Sequence, residues 1–249
     1  MIKLKTKEEI EIMIEGGRRL REVVKELMPQ IKAGVKTSQI DKQVEELIVK
    51  MGGEPSFKKV KGYFWSTCLP VNEQIVHAPP SDRVLKEGDV LTVDIGIYYN
   101  GFHTDFADTI AIGEVAEKVV RFLETGKKTL ELAVKKVKKG ARLGEISQSI
   151  QKEIERAGYS IVKELTGHGV GRDLHEDPNI PGFLDVPINK TLVIRPGLVV
   201  AIEVIYAMGG GGMVHEQGDS WSLRTSDKSL SACFEHTVAV TDTNTLILT

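Results

Sequence analysis

Asn100-Gly101 stands between Val93-Asp94-Ile95-Gly96-Ile97-Tyr98-Tyr99 and Phe102-His103-Thr104-Asp105. An Asn-Gly pair between runs of β-branched and aromatic residues specifies a two-residue hairpin loop, because both central positions need positive φ. The loop fixes the register of both arms, so that Asp94 faces Ala107 and Asp105 faces Gly96. Opposed residues share a sheet face, as do residues two apart on one strand. Asp94 and Asp105 are therefore diagonal neighbours on one face, at roughly 7–8 Å between Cα atoms. Asp108 is one pleat out of phase and reads as solvated or structural. The other face of the first arm (Leu91, Val93, Ile95, Ile97) is continuously apolar. Gly96, opposite Asp105, leaves room for something to approach the backbone closely. Two converging carboxylates fit either a shared cation or a polar face turned to water, and the hairpin alone does not choose between them.

Two glutamates tilt the choice toward a cation. In Leu198-Val-Val-Ala-Ile-Glu-Val-Ile-Tyr206 both strand faces are apolar apart from Glu203, and Ala232-Cys-Phe-Glu-His-Thr-Val-Ala-Val240 places Glu235 in the same situation. Such runs mark buried strands. A buried carboxylate must be paired, coordinated or protonated. The competing explanation is a buried ion pair with Arg172 or Arg195.

The segment Thr166-Gly167-His168-Gly169-Val170-Gly171-Arg172-Asp173-Leu174-His175-Glu176-Asp177-Pro178 frames His168 with glycines that forbid a stable helix and clear bulk from around the imidazole. Followed by a second histidine, it reads as a site. A phosphate loop does not fit, because no Gly-Lys-Ser/Thr follows.

Asp94, Asp105, His168, Glu203 and Glu235, in that order, resemble the five-ligand dinuclear site of the methionine aminopeptidases, more narrowly of the compact type I form. The contexts Gly-Phe-His-Thr-Asp, Gly-His-Gly-Val-Gly-Arg, His-Glu-Asp-Pro, Ala-Ile-Glu and Ser-Ala-Cys-Phe-Glu-His-Thr-Val are similar as well, and Asn72-Glu-Gln-Ile-Val-His77 is similar to the segment that carries that family's first active-site histidine. The resemblance runs from about Lys7 to Asp242. It implies an α+β pseudo-twofold "pita-bread" fold, a curved antiparallel sheet with helices packed outside and the metals held between the halves. It also implies removal of N-terminal methionine from nascent chains and peptides with a small second residue, by attack of a metal-bridging hydroxide on the first peptide bond.

The resemblance further implies individual roles. Asp105 and Glu235 would bridge the metals, Asp94 would complete one shell, and His168 and Glu203 the other. Glu203 would be the general base, His77 would hydrogen-bond the backbone beyond the scissile bond, and His175 would donate to the carbonyl oxygen as it gains charge. One imidazole with four carboxylates makes a hard, oxygen-rich set suited to two divalent ions, Mn(II), Fe(II) or Co(II), with Zn(II) admissible. Tyr63, Phe64, Trp65, Cys68 and Trp221 fall in or near segments that line the methionine pocket in relatives. Each aromatic taken alone reads as ordinary core, whereas Cys68 and Trp221 sit at matching positions. The chain departs from the family pattern at Val204, at Ala78-Pro79-Pro80, at Leu174 and in the run Gly209-Gly-Gly-Gly212, which reads as a flexible loop and not as a domain boundary. His103 and His236 are expected to point away from the metal face, and His215 to lie on a mobile loop.

Length and composition agree with a single catalytic domain over residues 1–249, in halves of about 7–110 and 114–242. Lys and Arg number 33 against 35 for Asp and Glu. That balance gives no general drive toward nucleic acid or membrane. No apolar run approaches a membrane span of about 18 residues, and the charged N-terminus resembles no signal peptide. Cys68 and Cys233 are too few and too dispersed for a disulfide framework, so a reducing cytoplasm fits best. Nothing in the sequence demands more than a monomer, and the partners that the resemblance implies are peptide N-termini. Lys135, Lys136, Lys138 and Lys139 read first as a solvated helix face and second, by family habit, as a transient ribosome contact.

Helices are expected from Thr6, with a Thr6/Glu9 capping box, to near Pro29, after Thr37-Ser38 to Gly52, from about Ala116 to Lys139, and from Gly144 to Ala157. The helix pairs look like copies: Gly34, Ile40, Ile48 and Gly52 recur as Gly140, Ile146, Ile154 and Gly158. A prolidase or Xaa-Pro aminopeptidase shares this ligand set, although those relatives usually carry a further N-terminal domain. A non-catalytic relative would have lost several ligands, and here all five positions are filled.

Overall fold

Thr6 and Glu9 exchange hydrogen bonds at the start of α1 (Lys7–Leu27): the Thr6 hydroxyl accepts from the Glu9 amide and the Glu9 carboxylate accepts from the Thr6 amide. This is the expected capping box, and it begins the helix where Ile10, Met13, Leu20, Val23 and Leu27 turn one face inward. The computed structural model describes residues 2–249. After α1 come α2 (Thr37–Lys50), β1 (Glu54–Pro55), β2 (Thr67–Cys68), β3 (Gln74–Val76), β4 (Val90–Tyr99) and β5 (Phe102–Ala111). The chain continues through α3 (Glu117–Val134), α4 (Leu143–Arg156), β6 (Ser160–Ile161), β7 (Thr166–Gly169), β8 (Glu176–Pro181) and β9 (Val199–Ala207). It ends with β10 (Met213–His215), β11 (Leu223–Thr225), β12 (Ser231–Val240) and β13 (Thr245–Ile247).

The large sheet runs β1-β4-β5-β12-β9-β7-β8, with β2, β6 and β13 pairing along its length. Every pairing is antiparallel. The helices pack chiefly against one face. Leu91, Val93, Ile95 and Ile97 of β4 pack with α1 and α2 residues such as Leu20, Val23, Ile40 and Ile48. Val200, Ile202, Val204 and Tyr206 of β9, with Phe234 and Val238 of β12, pack with Phe122, Leu130, Ile146 and Ile150 of α3 and α4. Each such fully buried side chain contributes roughly 1.5–3 kcal/mol. Pleat alternation then leaves the intervening residues of these strands for the opposite face, where β10, β11 and β3 form a small second sheet.

The internal copy is legible in the backbone. Gly34 N–H donates to Leu85 O at 2.8 Å and Leu85 N–H to Val35 O at 2.9 Å; Gly140 N–H donates to Ile194 O at 3.0 Å and Ile194 N–H to Ala141 O at 2.8 Å. Gln39 accepts from the Lys36 amide at the head of α2 as Glu145 accepts from the Arg142 amide at the head of α4, both at 2.9 Å. Gly52 and Gly158 end the two helices at φ +73° and +82°.

Three local expectations change. α3 stops at Val134 instead of Lys139, because Val137 turns into the core and the chain bends to bring Gly140 to Ile194. His215 lies on β10, opposite Leu223, and not on a loop. The glycines at 209–212 are fitted against their neighbours and are not a slack connection. Gly210 N–H donates to Asp227 at 2.8 Å, and a Cβ on Gly211 would fall 2.2 Å from the Ile161 carbonyl oxygen.

Candidate metal centre and substrate cavity

The sheet register assembles the acidic side chains. Asp94 pairs with Ala107, Ala107 with Glu235, and Glu235 with Glu203, so one row crosses β4, β5, β12 and β9. The hairpin turn sets the first pairing as the sequence required, with Asn100 at φ 46° and Gly101 at φ 90°. Asp105 is two residues from Ala107, and His168 pairs with Ala201, two residues from Glu203. All five side chains therefore leave the sheet on the face away from the helices. Three strand spacings separate Asp94 from Glu203, about 14 Å along a flat sheet. Sheet curvature and the longer reach of glutamate shorten that gap. Candidate ligand atoms of Asp105, His168 and Glu235 lie within 4.8 Å of one another. His168 Nε2 is 3.5 Å from Glu203 Oε1.

Electrostatics shows what is missing from this cluster. Burial first, then the charges of Asp105 and Glu203, raises the Asp94 carboxyl well above its usual range. Burial and Asp105 do the same to Glu203, and burial with the three other carboxylates to Glu235. Burial raises Asp105 to about 7. Glu235 Oε1 is buried with no hydrogen-bond partner among the described residues. Carboxylates this close cannot all ionise without a countercharge, and neither arginine considered from the sequence supplies it to the glutamates; Arg172 pairs with Glu9 at 2.8 Å. The donor chemistry fits divalent cations. Atoms bound to one ion at about 2.1 Å stand up to about 4 Å apart, close to the observed spacing. His168 is prepared in the same sense: its Nδ1–H donates to Gly169 O at 2.8 Å, which leaves the Nε2 lone pair facing the carboxylates. Burial lowers the His168 pKa to about 3, so the ring is neutral.

Above this floor opens a cavity of about 320 Å³. Asp94, Asp105, His168, Glu203, Glu235, His77, His175, Tyr63, Cys68 and Trp221 all line it. The Tyr63 hydroxyl donates to Thr67 O at 2.7 Å and lies 3.2 Å from Cys68 Sγ, so its polar end is satisfied and its ring faces inward. Trp221 meets that ring edge-on at 5.1 Å. Trp65 packs against Tyr63 from behind, at 5.2 Å, and is not on the cavity wall; Phe64 is exposed. Phe57, Val60 and Leu174 complete an apolar wall that the sequence reading did not assign. Phe57 opens a short turn of helix and Val60 follows its end, both before the aromatic run, and no local periodicity marks them as lining residues.

His77 follows β3 with φ 58°, an unusual value for a non-glycine residue and one that recurs at functional sites. Desolvation within the cleft lowers its pKa to about 4 and also lowers that of His175, although both residues keep solvent-exposed surface. The His175 ring lies 4.4 Å from that of His168. His236 faces the helix side, as expected, near Phe106. His103 does not point away from Asp94. It pairs with Tyr98, two pleats from Asp94 on the same face, and it is kept from the cluster by distance along the strand, bonded to Ser56 Oγ at 2.9 Å. Ser56 is also what uses the space at Gly96: its amide donates to Gly96 O at 3.0 Å, and a Cβ on Gly96 would fall 2.8 Å from its own Cβ. Asp108 lies on the helix side, paired with Lys127 at 3.4 Å.

Buried acids gathered with one imidazole below an open cavity have the donor chemistry of a metal centre that activates water. Comparison with known sequences narrows this further. The profile of Metallopeptidase family M24 matches residues 11–242, and the chain belongs to that family of metal-dependent peptidases. It is 42% identical over 249 residues to "Methionine aminopeptidase 1" of Bacillus subtilis, covering 100% of this chain and 99% of the relative. It is 35% identical to the methionine aminopeptidase of Escherichia coli K12, covering 100% and 94%. The solved structure of methionine aminopeptidase from Thermotoga maritima superimposes with a TM-score of 0.95 at 37% identity, over 100% and 99% of the two chains. The prolidase of Pyrococcus furiosus shares the fold with a TM-score of 0.79 at 25% identity, but this chain spans 64% of its length. The expected pita-bread architecture is thus the observed one.

Proposed function

We propose that the protein is a type I methionine aminopeptidase that removes N-terminal methionine ahead of a small second residue, in the cytoplasm and as a monomer. The observation that carries this is the joining of the carboxylate row to an apolar-walled cavity in one open cleft, with His77 and His175 at its rim. Two divalent ions, Mn(II), Fe(II) or Co(II), would be held by Asp94, Asp105, His168, Glu203 and Glu235, with Asp105 and Glu235 shared. When bound, they supply Lewis acidity to the carbonyl and to water. The chain supplies the rest. Tyr63, Cys68 and Trp221 accept an unbranched thioether and exclude water from it. Glu203 takes the proton of the attacking water and passes it toward the leaving amine. His175, whose pKa is lowered by partial desolvation in the cleft, donates one N–H to the carbonyl oxygen as charge grows there. His77 bonds the peptide backbone beyond the scissile bond. Residues 1–249 act as one catalytic unit in this reading, with halves at about 7–110 and 114–242.

The purified protein should release methionine from a Met-Ala-Ser peptide, lose that activity to a chelator and regain it with Mn(II), Fe(II) or Co(II). Glu203→Gln, reloaded with metal, should lose about 10²–10⁴ in kcat. Full turnover by that variant, or a preference for Xaa-Pro over Met-Ala peptides, would overturn the assignment. Ribosome contact is confined in this reading to the exposed Lys135, Lys136, Lys138 and Lys139. Absence of salt-sensitive co-sedimentation with ribosomes removes it.

A further inference from the structure

Residues 171–176 form the turn that delivers His175 to the cavity, and the N-terminal segment clasps that turn three times. Lys3 pairs with Asp173 and Glu9 with Arg172, each at 2.8 Å. Both pairs are open to solvent and contribute little. Between them Lys5 Nζ reaches Glu176 Oε2 at 2.6 Å, and here the two side chains are only 4% and 3% exposed. Glu176 Oε1 in turn accepts from the Arg172 and Asp173 amides at 2.9 and 3.2 Å. Lys5 is itself anchored: its amide donates to Gly197 O at 2.7 Å and its ammonium to Lys3 O at 3.0 Å. The turn is also pinned to the sheet, where His103 N–H donates to Gly171 O at 2.7 Å. Gly171 makes the fit achievable, since a Cβ there would lie 2.4 Å from Lys5 Cε and 2.8 Å from Glu176 Oε1.

A buried ion pair is a poor route to stability, because apolar residues of similar volume often serve as well. Its contribution is a single geometry, and the geometry set here is that of the backbone immediately before His175. Lys5 lies outside the span matched by the family profile, and neither Lys5 nor Glu176 lines the cavity. We propose that Lys5 is a positioning residue for His175, acting through Glu176 and the amides of Arg172 and Asp173 to hold the imidazole where the carbonyl oxygen of the substrate will be. The proposal rests on the aminopeptidase reading for the role of His175.

The test is a double-mutant cycle on the metal-loaded enzyme with a Met-Ala-Ser peptide. Lys5→Met keeps the aliphatic stem and removes the charge. It should lower kcat about tenfold or more, the scale of a displaced catalytic group, with KM within about twofold and metal content unchanged. In a His175→Ala background the same substitution should cost nothing further. A persisting tenfold loss there would overturn the proposal, because Lys5 would then act on something other than the imidazole. Should Lys5→Met fail to fold, Lys5→Arg, which keeps the charge but carries a planar head, should show a smaller loss with the same dependence on His175. A second readout needs no turnover: in ¹⁵N-labelled protein the His175 ring resonances should shift or broaden in the Lys5 variant while those of His236 stay in place. Unchanged His175 resonances sink the positioning role even if the enzyme is active, whereas an inactive wild type whose His175 resonances respond would sink only the activity reading.

Discussion

Compare the hairpin β4–β5 with the pair β9–β12. Both are long antiparallel ladders that bury one face under two helices, and both present acids on the other face. The first closes in two residues, Asn100 and Gly101, between Tyr99 and Phe102. The second is the same ladder opened at its end: Ala207 pairs with Ser231, and the chain between them leaves to form β10 and β11, of which β11 pairs with β3 of the first half, and carries Trp221 to Tyr63. The acids differ too, aspartates from the first ladder and glutamates from the second, with His168 added beside β9. Backbone hydrogen bonding, which depends little on side chains, repeats between the halves. Charge and cavity wall, which must meet an asymmetric substrate, do not.

The largest test of that asymmetry lies in the acids themselves. Glu235→Gln removes a ligand proposed to be shared by both ions and Asp94→Asn a ligand proposed for one ion. Elemental analysis should find both metal positions weakened in the first variant and only one in the second. The kcat/KM of Glu235→Gln should fall at least about a thousandfold, roughly 4 kcal/mol of transition-state stabilisation. Equal metal loss in the two variants would break the division into shared and single ligands.

Next in size is a stability effect with a definite sign. An acid whose pKa is raised by folding binds its proton more tightly in the native state. It therefore favours folding at low pH, and that contribution is lost as pH rises from the ordinary value near 4 toward about 7 for Asp105. His77 and His168, lowered to about 4 and about 3, run oppositely and lose their contribution as pH falls below the ordinary imidazole value of about 6.5. The two trends overlap in the wild type, so the informative quantity is a difference. Metal-free Asp105→Asn should be more stable than metal-free wild type by an amount that grows between about pH 4 and 7, on the order of a few kcal/mol, and is absent below about pH 4. Denaturant midpoints across that range measure it; a gap independent of pH would show that Asp105 is not held against its charge.

A smaller effect belongs to the excursion that only the second ladder makes. Trp221→Ala should raise KM for Met-Ala-Ser about tenfold, near 1.4 kcal/mol, and leave kcat within about twofold, since in the proposed pocket the ring meets the methionine side chain and not the reacting bond. A fall in kcat with KM unchanged would mean that Trp221 orders the centre and not the pocket.

What could be read from the chain alone follows the range of the interactions. The Asp94/Asp105 diagonal was legible because an Asn-Gly turn fixes register locally. That Glu203 and Glu235 face each other was not, because β9 and β12 meet across a long excursion and nothing local sets their pairing. Burial of each glutamate in an apolar run did reveal that a countercharge was needed. His103 was assigned to the wrong face although the same alternation that placed Asp105 applies to it, and Ser56, remote in sequence, is the partner that occupies it. The end of α3 was overrun because Lys135, Lys136, Lys138 and Lys139 look helical, whereas buried Val137 and the bond from Gly140 to Ile194 are tertiary facts. The clasp on the His175 turn left no signal, since Lys5 and Glu176 each read as surface charges until the fold brings them together.

The smallest prediction asks whether the backbone copy is energetic as well as geometric. Gly34 and Gly140 have φ of +90° and +85°, and a Cβ at either would meet nothing within 4 Å. Alanine at these positions is opposed by backbone conformation alone, about 1–2 kcal/mol, so Gly34→Ala and Gly140→Ala should be destabilised equally. Gly52 and Gly158 are matched in φ, at +73° and +82°, but a Cβ on Gly52 falls 3.1 Å from Arg19 Nη1 while one on Gly158 meets nothing. That arginine donates to Met51 O and rests over the Tyr99 ring at 4.2 Å, so it must give way when Gly52 gains a methyl group. Gly52→Ala should therefore be the worse of its pair by a few tenths of a kcal/mol or more, and Arg19→Ala should erase the difference. Unequal costs at Gly34 and Gly140 would show that the halves share a path of the chain but not the forces that hold it.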